Sequence, residues 1–366
     1  MKRKIVLTGG GSAGHVTPNL VLLQRLLKEG WEIHYIGSKH GIERQLVGGI
    51  DAVRYHSVST GKLRRYWSWE NVSDLFKFTL GILQAVFLML RIKPDAIFSL
   101  GGFVAVPVVI GARSKRIPIL IFEPDLYPGL ANRISSRFAQ VICTTFAGTS
   151  QIYWINDKRI KHIGPILREE LKLGSRARGI QQRGFDGDKP IVLIMGGSQG
   201  AERINRIVRE ALPEMLSSYQ VVHICGAGKM DPSYNRFSGY IQLEYAHAEL
   251  PDLMAMADMV VSRAGSNAIH EWLHLRKPML LIPHVIGGAR TGQLLNAHHF
   301  QNAGYAELLY EEELTKAAFL NAVNAVYRDR KIYSARMSRH ETDGAVEKVM
   351  RIIHKEARSQ KAEATI

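Results

Sequence analysis

The side chains best suited to chemistry gather at a glycine-rich run near the N-terminus. Gly9-Gly10-Gly11-Ser12-Ala13-Gly14 is followed at once by His15. The run satisfies G-x-G-x-x-G between an apolar strand-like stretch, residues 4–8, and a helix expected from Thr17-Pro18, with Gly30 as its stop. Glycines at such a place let backbone N–H groups approach a phosphate at a helix N-terminus, where the helix dipole favours negative charge. The same glycines also serve tight strand–helix packing. His15, at the mouth of that helix, is a candidate general base because imidazole titrates near neutral pH. Its plainer reading is a hydrogen-bonded polar residue. A nicotinamide dinucleotide would need an acid at the end of the second strand to hold the ribose diol. That strand ends Ile36-Gly37-Ser38-Lys39, which argues against it.

Two further glycine turns follow apolar stretches: Gly101-Gly102-Phe103 after Leu100, and Gly196-Gly197-Ser198-Gln199-Gly200 after Met195. Three such turns imply more than one phosphate group, as in a nucleotide diphosphate facing a second phosphorylated substrate. Downstream, Ser262-Arg263-Ala264-Gly265-Ser266-Asn267-Ala268-Ile269-His270-Glu271 leaves a strand and opens a helix. A carboxylate at Glu271 can accept two hydrogen bonds from a ribose diol. Alternatively it is a solvated acid that stabilises the helix dipole.

These turns require strands and helices in alternation. Apolar stretches at residues 4–8, 31–36, 96–100, 117–122 and 140–144 read as strands separated by helical segments, the signature of a parallel sheet. The alternation pauses near Gly164-Pro165, where residues 168–189 are polar and basic, and restarts with strands at 191–195, 221–225, 259–262 and 279–282. A helix is expected over 201–212 and another over 345–357. The strand–glycine–helix unit at Gly9 recurs at Gly196. The expected fold is therefore α/β, with two Rossmann-like doubly wound domains facing across a cleft, residues 1–164 and 165–343. A C-terminal helix from about 344 packs back on the first. Ligands of such sheets bind at the carboxyl ends of the strands.

Composition narrows the function classes. The 366 residues carry 48 Lys and Arg against 33 Asp and Glu, a formal charge of +15 that implies an anionic partner. The basic residues are scattered and no DNA or RNA module is present, so nucleic acid is not the expected partner. Two cysteines, Cys143 and Cys225, exclude a disulfide scaffold and a Cys-rich metal site. No signal-peptide pattern precedes the first strand, and the longest apolar stretch, residues 78–90, falls short of the roughly 20 residues of a bilayer span. A reduced, cytoplasmic setting is the expectation.

Several motifs together resemble the MurG family, the membrane-associated N-acetylglucosaminyltransferases of bacterial peptidoglycan synthesis. They are Gly10 to Pro18, Gly101-Gly102-Phe103-Val104, Pro128-Gly129-Leu130-Ala131-Asn132, Gly196 to Ala201 and Arg263 to Glu271, in family order from about residue 4 to 310. The resemblance implies a GT-B fold and inverting transfer of GlcNAc from UDP-GlcNAc to the 4-hydroxyl of MurNAc in undecaprenyl-diphosphate-MurNAc-pentapeptide. It places donor contacts at Ser12, Ala13, Gly14, Asn132, Arg168, Ser198, Ser266, Asn267, Ala268, Ile269, His270, Glu271 and Gln293, with Glu271 on the ribose. His15 matches the histidine proposed for the acceptor side and Glu123 a further cleft acid, so both are candidate bases. Gly11, Gly101, Gly102 and Phe103 are assigned to the acceptor diphosphate. Two stretches depart from the family pattern, Gly287 to Gly292 before Gln293, and Pro124-Asp125 after Glu123.

No acid pair accompanies the glycine turns, so no metal or other cofactor is expected. Arg168, Ser198 and the Gly196-Gly197 amides would stabilise the leaving diphosphate as preorganised donors. The lipid-linked acceptor accounts for the charge. Lys62-Leu63-Arg64-Arg65-Tyr66-Trp67-Ser68-Trp69 precedes an apolar helix over residues 75–91, the pattern of a peripheral protein on the anionic cytoplasmic membrane face. A core helix would show the same spacing. Two other enzymes would share fold and donor: a glycosyltransferase acting on diacylglycerol or another lipid, and a UDP-GlcNAc epimerase.

Overall fold

The computed structural model describes residues 2–61, 70–152, 157–197, 200–284, 292–340 and 344–363. The chain divides into two compact units, one from residues 1–167 with 343–366, the other from residues 168–342. Strands of the first are β1 Lys4–Thr8, β2 Glu32–Gly37, β3 Val53–Ser57, β4 Ala96–Ser99, β5 Ile119–Glu123, β6 Val141–Thr144 and β7 Ile160–His162. They pair in parallel in the order β3-β2-β1-β4-β5-β6-β7. The second unit holds β8 Ile191–Met195, β9 Gln220–Ile224, β10 Tyr240–Leu243, β11 Met259–Ser262, β12 Met279–Leu281 and β13 Ala306–Leu308. Their parallel order is β10-β9-β8-β11-β12-β13. In both units the first three strands step outward and the fourth returns to the far side of the first, which is the doubly wound order.

The inner strands are apolar on both faces because helices cover both. In β1, Ile5 and Leu7 enter one core layer and Val6 the other, following the two-residue period of a strand. The nine strands expected from apolar runs are all inner ones. The four that the runs did not reveal, β3, β7, β10 and β13, are the four sheet edges. An edge strand is covered less completely, so Val-Arg-Tyr-His-Ser in β3 or Ile-Lys-His in β7 folds without a continuous apolar run.

Helix ends follow local chemistry. The helix Thr17–Lys28 has Pro18 in its first turn and stops before Gly30, whose φ is +77°. The helix Glu202–Ser218 runs past Pro213, where a stop was expected, because Leu212 and Met215 remain buried on its apolar face. The helix Ala345–Glu363 is longer than its expected 345–357. It inserts Ala345, Val346, Val349, Met350, Ile353 and Ala357 into the core of the first unit. His354 fastens it there: Arg3 Nη1 donates to its Nδ1 at 2.7 Å, so Nε2 carries the proton and donates to Glu29 Oε2 at 2.6 Å.

The helix Glu70–Ile92 has a divided surface. Gly81, Ala85 and Met89 are buried, with Ala85 against Gly111 of the helix Ala105–Ser114. The opposite face exposes Leu75, Phe76, Leu80, Leu83, Phe87 and Leu90, between 48% and 77% of each accessible. Its 19 residues Asp74–Ile92 are long and apolar enough to cross a bilayer by length and composition, more than the expected 13-residue stretch offered. The basic aromatic segment 62–69 lies outside the described residues.

Candidate active site

In each unit the functional loops leave the two strands at which strand order reverses. β1 and β4 are neighbours, so the loop at Gly9–Gly14 lies beside Gly101-Gly102-Phe103. The approach is close enough to require glycine: a Cβ on Gly102, whose φ is +79°, would lie 2.2 Å from Gly10 O. Phe103 packs its ring over Gly11, where a Cβ would meet it at 2.7 Å. Tyr35 hydroxyl donates to Gly9 O at 2.7 Å and Gly11 N donates to Glu43 Oε2 at 3.2 Å. Glu43 is fully buried and also accepts from Ser38 N at 2.9 Å and Ser38 Oγ at 2.5 Å. Sequence reading missed this carboxylate, which fastens the first glycine loop to the end of β2. No spacing signal marks it.

His15 closes the short 3-10 turn Ala13–His15 and is partly buried, its Nδ1 2.7 Å from Ser12 Oγ. With Nδ1–H donating to Ser12, Nε2 keeps its lone pair and can accept a proton. Burial holds the imidazole below its ordinary pKa, opposed by the Asp125 carboxylate, so the ring is neutral at physiological pH. Glu123, the last residue of β5, is in a different state. It is 2% exposed, Oε1 accepts from Asp125 N at 3.0 Å, and Oε2 accepts from Asn132 Nδ2 at 2.9 Å and Gly129 N at 3.3 Å. Burial, reinforced by Asp125 and opposed by the Asn132 hydrogen bond, pushes its carboxyl up to about 8. At neutral pH it is mostly protonated and organises the 123–132 loop. Asn132 sits in this unit too, beside Gly101, and also donates to Phe122 O at 3.1 Å. The structure therefore gathers Gly11, Ser12, Ala13, Gly14, His15, Gly101, Gly102, Phe103, Glu123 and Asn132 on the first unit. Asp125, an electrostatic neighbour of both candidate bases, was not singled out as a site residue from sequence.

The remaining described candidates belong to the second unit, where β8 and β11 are neighbours. The turn after β8 begins at Gly196-Gly197, and Ser198 lies outside the described residues. After β11, Arg263-Ala264-Gly265 leads into the helix Ser266–His274. Ser266, Ile269 and His270 are buried, while Asn267 and Ala268 are partly accessible. His270 Nδ1 lies 2.8 Å from Ser266 O and its ring meets Phe300 edge-on, with centroids 5.1 Å apart. Through its side chain His270 supports the turn; toward a ligand it can offer backbone.

Glu271 is 6% exposed and takes a bidentate grip from Arg168, Nε to Oε1 at 2.7 Å and Nη2 to Oε2 at 2.6 Å. Two residues far apart in sequence, both expected at the donor, are thus bonded to each other. Each carboxylate oxygen retains a second lone pair for a hydroxyl, and the guanidinium retains N–H donors for a phosphate or base. Gln293 turns its Oε1 to His284 N at 3.0 Å. Arg263, another unforeseen participant, binds Ile282 O at 3.0 Å and Glu311 Oε1 at 2.7 Å, holding the β11 and β12 ends together.

Two Rossmann-like units with phosphate-type glycine turns at both strand reversals have the architecture of a GT-B glycosyltransferase. Residues 5–144 match the glycosyltransferase family 28 N-terminal domain and residues 191–354 its C-terminal domain. The chain is 49% identical over 358 residues to the UDP-N-acetylglucosamine--N-acetylmuramyl-(pentapeptide) pyrophosphoryl-undecaprenol N-acetylglucosamine transferase of Geobacillus thermodenitrificans, covering 98% of this chain and 100% of that one. It is 48% identical over 356 residues to the third such transferase of Bacillus cereus, covering 97% and 99%. The fold is shared with Acinetobacter baumannii MurG at a TM-score of 0.74, 20% identity and 96% and 99% coverage. A putative UDP-N-acetylglucosamine 2-epimerase of Listeria monocytogenes shares it at 0.67, with 12% identity and 96% and 95% coverage. The chain belongs to glycosyltransferase family 28, and within it to the MurG family.

The Arg168–Glu271 pair generates a direct test. A double-mutant cycle with Arg168→Ala and Glu271→Ala, read by denaturant unfolding, should return a coupling of at least about 1 kcal/mol, since Glu271 is almost wholly withdrawn from water. Additive effects would contradict the bidentate geometry.

Proposed function

We propose that this chain moves GlcNAc from UDP-GlcNAc to the 4-hydroxyl of MurNAc in undecaprenyl-diphosphate-MurNAc-pentapeptide, inverting the configuration at the sugar's anomeric carbon. The observation that carries this reading is the likeness, close to half identical and end to end, to transferases named for that donor and acceptor. The donor rests on the second unit, with its ribose diol on Glu271 and its diphosphate facing Arg168 and the Gly196-Gly197 amides. On the second unit, Ser198, Gln293 and the backbone of 266–271 are its further candidate contacts. The acceptor diphosphate lies on Gly11, Gly101, Gly102 and Phe103. His15 Nε2 takes the acceptor hydroxyl proton as the oxygen bonds to C1. The C1–O bond to UDP breaks, and its electron pair leaves with the diphosphate, whose growing charge the preorganised donors stabilise. Glu123, protonated near neutrality, serves better as the anchor of the 123–132 loop than as the base.

The acceptor's lipid requires a membrane surface. The exposed stripe on the helix Glu70–Ile92 supports peripheral docking on the cytoplasmic leaflet. Leu75, Phe76, Leu80, Leu83, Phe87 and Leu90 would sink among the acyl chains while Lys77 and Arg91, both exposed, meet anionic headgroups. In flotation with phosphatidylglycerol vesicles the wild type should bind and Leu83→Glu with Phe87→Glu should stay in solution. Equal flotation of both would refute docking through this helix.

The transfer reading is tested with labelled UDP-GlcNAc and synthetic undecaprenyl-diphosphate-MurNAc-pentapeptide. The expected product is the lipid-linked disaccharide, formed only with that acceptor. A new UDP-sugar formed without acceptor would identify an epimerase, and product on diacylglycerol a different lipid glycosyltransferase. The pH dependence follows from His15. The reaction needs the neutral imidazole, and burial lowers its pKa from 6.5 in the free protein, so the acid limb of kcat/KM should lie below pH 6.5. Asp125 favours the imidazolium; Asp125→Asn should therefore move the limb to still lower pH. A limb that stays in place or rises would remove His15 as the base.

A further inference from the structure

Beneath the first glycine loop lies a carboxylate that the reaction proposed above does not use. Glu43 is fully buried, and every group around it belongs to the first unit. Its two oxygens face two different segments. Oε1 accepts from Ser38 N and Ser38 Oγ at the end of β2, and Oε2 accepts from Gly11 N. The fit is close: a Cβ on Gly10 would lie 2.4 Å from Glu43 Cδ, and one on Gly41 2.4 Å from either oxygen. Ser38 is held from its other side as well, since the Tyr55 hydroxyl donates to its carbonyl at 2.6 Å. The Tyr55 ring stacks on Tyr35, centroids 5.9 Å apart, and Tyr35 is the residue that binds Gly9 O.

From Gly11 a short path leads to the candidate base. The loop doubles back on itself, so that a Cβ on Gly9 would lie 2.3 Å from His15 O. Ser12 follows Gly11 directly. Its carbonyl accepts from His15 N at 3.1 Å and its Oγ lies 2.7 Å from His15 Nδ1. The amide that Glu43 fixes is thus joined to the residue that orients the imidazole. A buried carboxylate is a costly way to fill space, and an aliphatic side chain would fill it at less cost. What the carboxylate adds is a pair of acceptors that hold two backbone segments in one geometry.

We propose that Glu43 is a positioning residue for the acceptor half of the reaction: by binding Gly11 and Ser38 together it sets the place of Ser12 and, through Ser12, of the His15 ring. The inference rests on the function proposed above. Withdrawn from water, Glu43 meets no substrate itself and acts only through the loop.

Glu43→Gln tests this. The amide keeps one acceptor oxygen and turns an NH2 group toward the other segment, so Gly11 N or Ser38 N loses its partner. With labelled UDP-GlcNAc and the lipid-linked acceptor, kcat/KM for the acceptor should fall about a hundredfold, the scale of a catalytic group misplaced by about 1 Å. UDP affinity, set by the second unit, should be unchanged. The acid limb of kcat/KM should move up toward pH 6.5, because a loosened loop returns the His15 ring to water. Asp125 is the charge that acts on that ring, so the movement reports displacement and not the lost Glu43 charge. Ser38→Ala removes one of the three donors and leaves the carboxylate in place. It should shift both readouts in the same direction, with kcat/KM about threefold lower, and it carries the test if Glu43→Gln does not fold. A purely structural Glu43 would lower the unfolding midpoint and leave the acid limb of the folded enzyme in place. An unmoved limb, or wild-type kcat/KM for the acceptor, would overturn the positioning role and leave the transferase reading intact. A wild type that glycosylates no lipid-linked acceptor would overturn the transferase reading and this role with it.

Discussion

The reversal of strand order is the constraint on which everything else depends. In a parallel sheet the connections from strands on either side of the reversal run to opposite faces, so the helices that follow β1 and β4, or β8 and β11, diverge and a crevice opens above the strand ends. Backbone amides there are unpaired by the sheet and point outward from strand ends. Only residues without a Cβ let the two loops of the first unit approach as they do, Gly102 against Gly10 O. The fold makes this crevice twice, once in each unit.

The same constraint explains how much could be read from the order of residues alone. An inner strand of a parallel sheet is buried on both faces and must be an apolar run, so nine strands and the glycine turns that end them stand out. The four edge strands are partly wet, and Val53–Ser57 carries Arg54 and His56 without penalty. The glycine loops, His15 and the turn into Glu271 are local patterns and were legible for that reason. Glu43 beneath Gly11, Asp125 beside His15 and Arg263 across the strand ends act through contacts made only when distant segments meet. No local spacing carries that information. The Arg168–Glu271 bond is intermediate: each residue matched a family motif, but their pairing is a tertiary fact.

Electrostatics divide the labour between the units. Burial acts on the two candidate bases in opposite chemical senses, keeping the His15 imidazole neutral and the Glu123 carboxyl protonated. Both therefore enter neutral pH uncharged, and of the two only the imidazole is then in its proton-accepting form. In the second unit two guanidinium groups are paired and held in place. Arg168 is fixed by Glu271 and Arg263 by Glu311, so both guanidinium groups are oriented before any ligand binds. The apolar stripe of the helix Glu70–Ile92 is a separate specialisation. Its buried side has small residues at Gly81 and Ala85, which let the helix lie close on the unit, and Met89 and Ile92 further along, while Leu75, Phe76, Leu80, Leu83, Phe87 and Leu90 remain outside.

The central claim is that the crevice between β8 and β11 is the seat of the sugar nucleotide. A crystal structure of the protein with bound UDP-GlcNAc tests it most directly. The account predicts the ribose hydroxyls on the Glu271 carboxylate and the diphosphate against Gly196-Gly197 and Arg168. A nucleotide seated instead on Gly9–Gly14 of the first unit, or anywhere out of reach of Glu271, would contradict it.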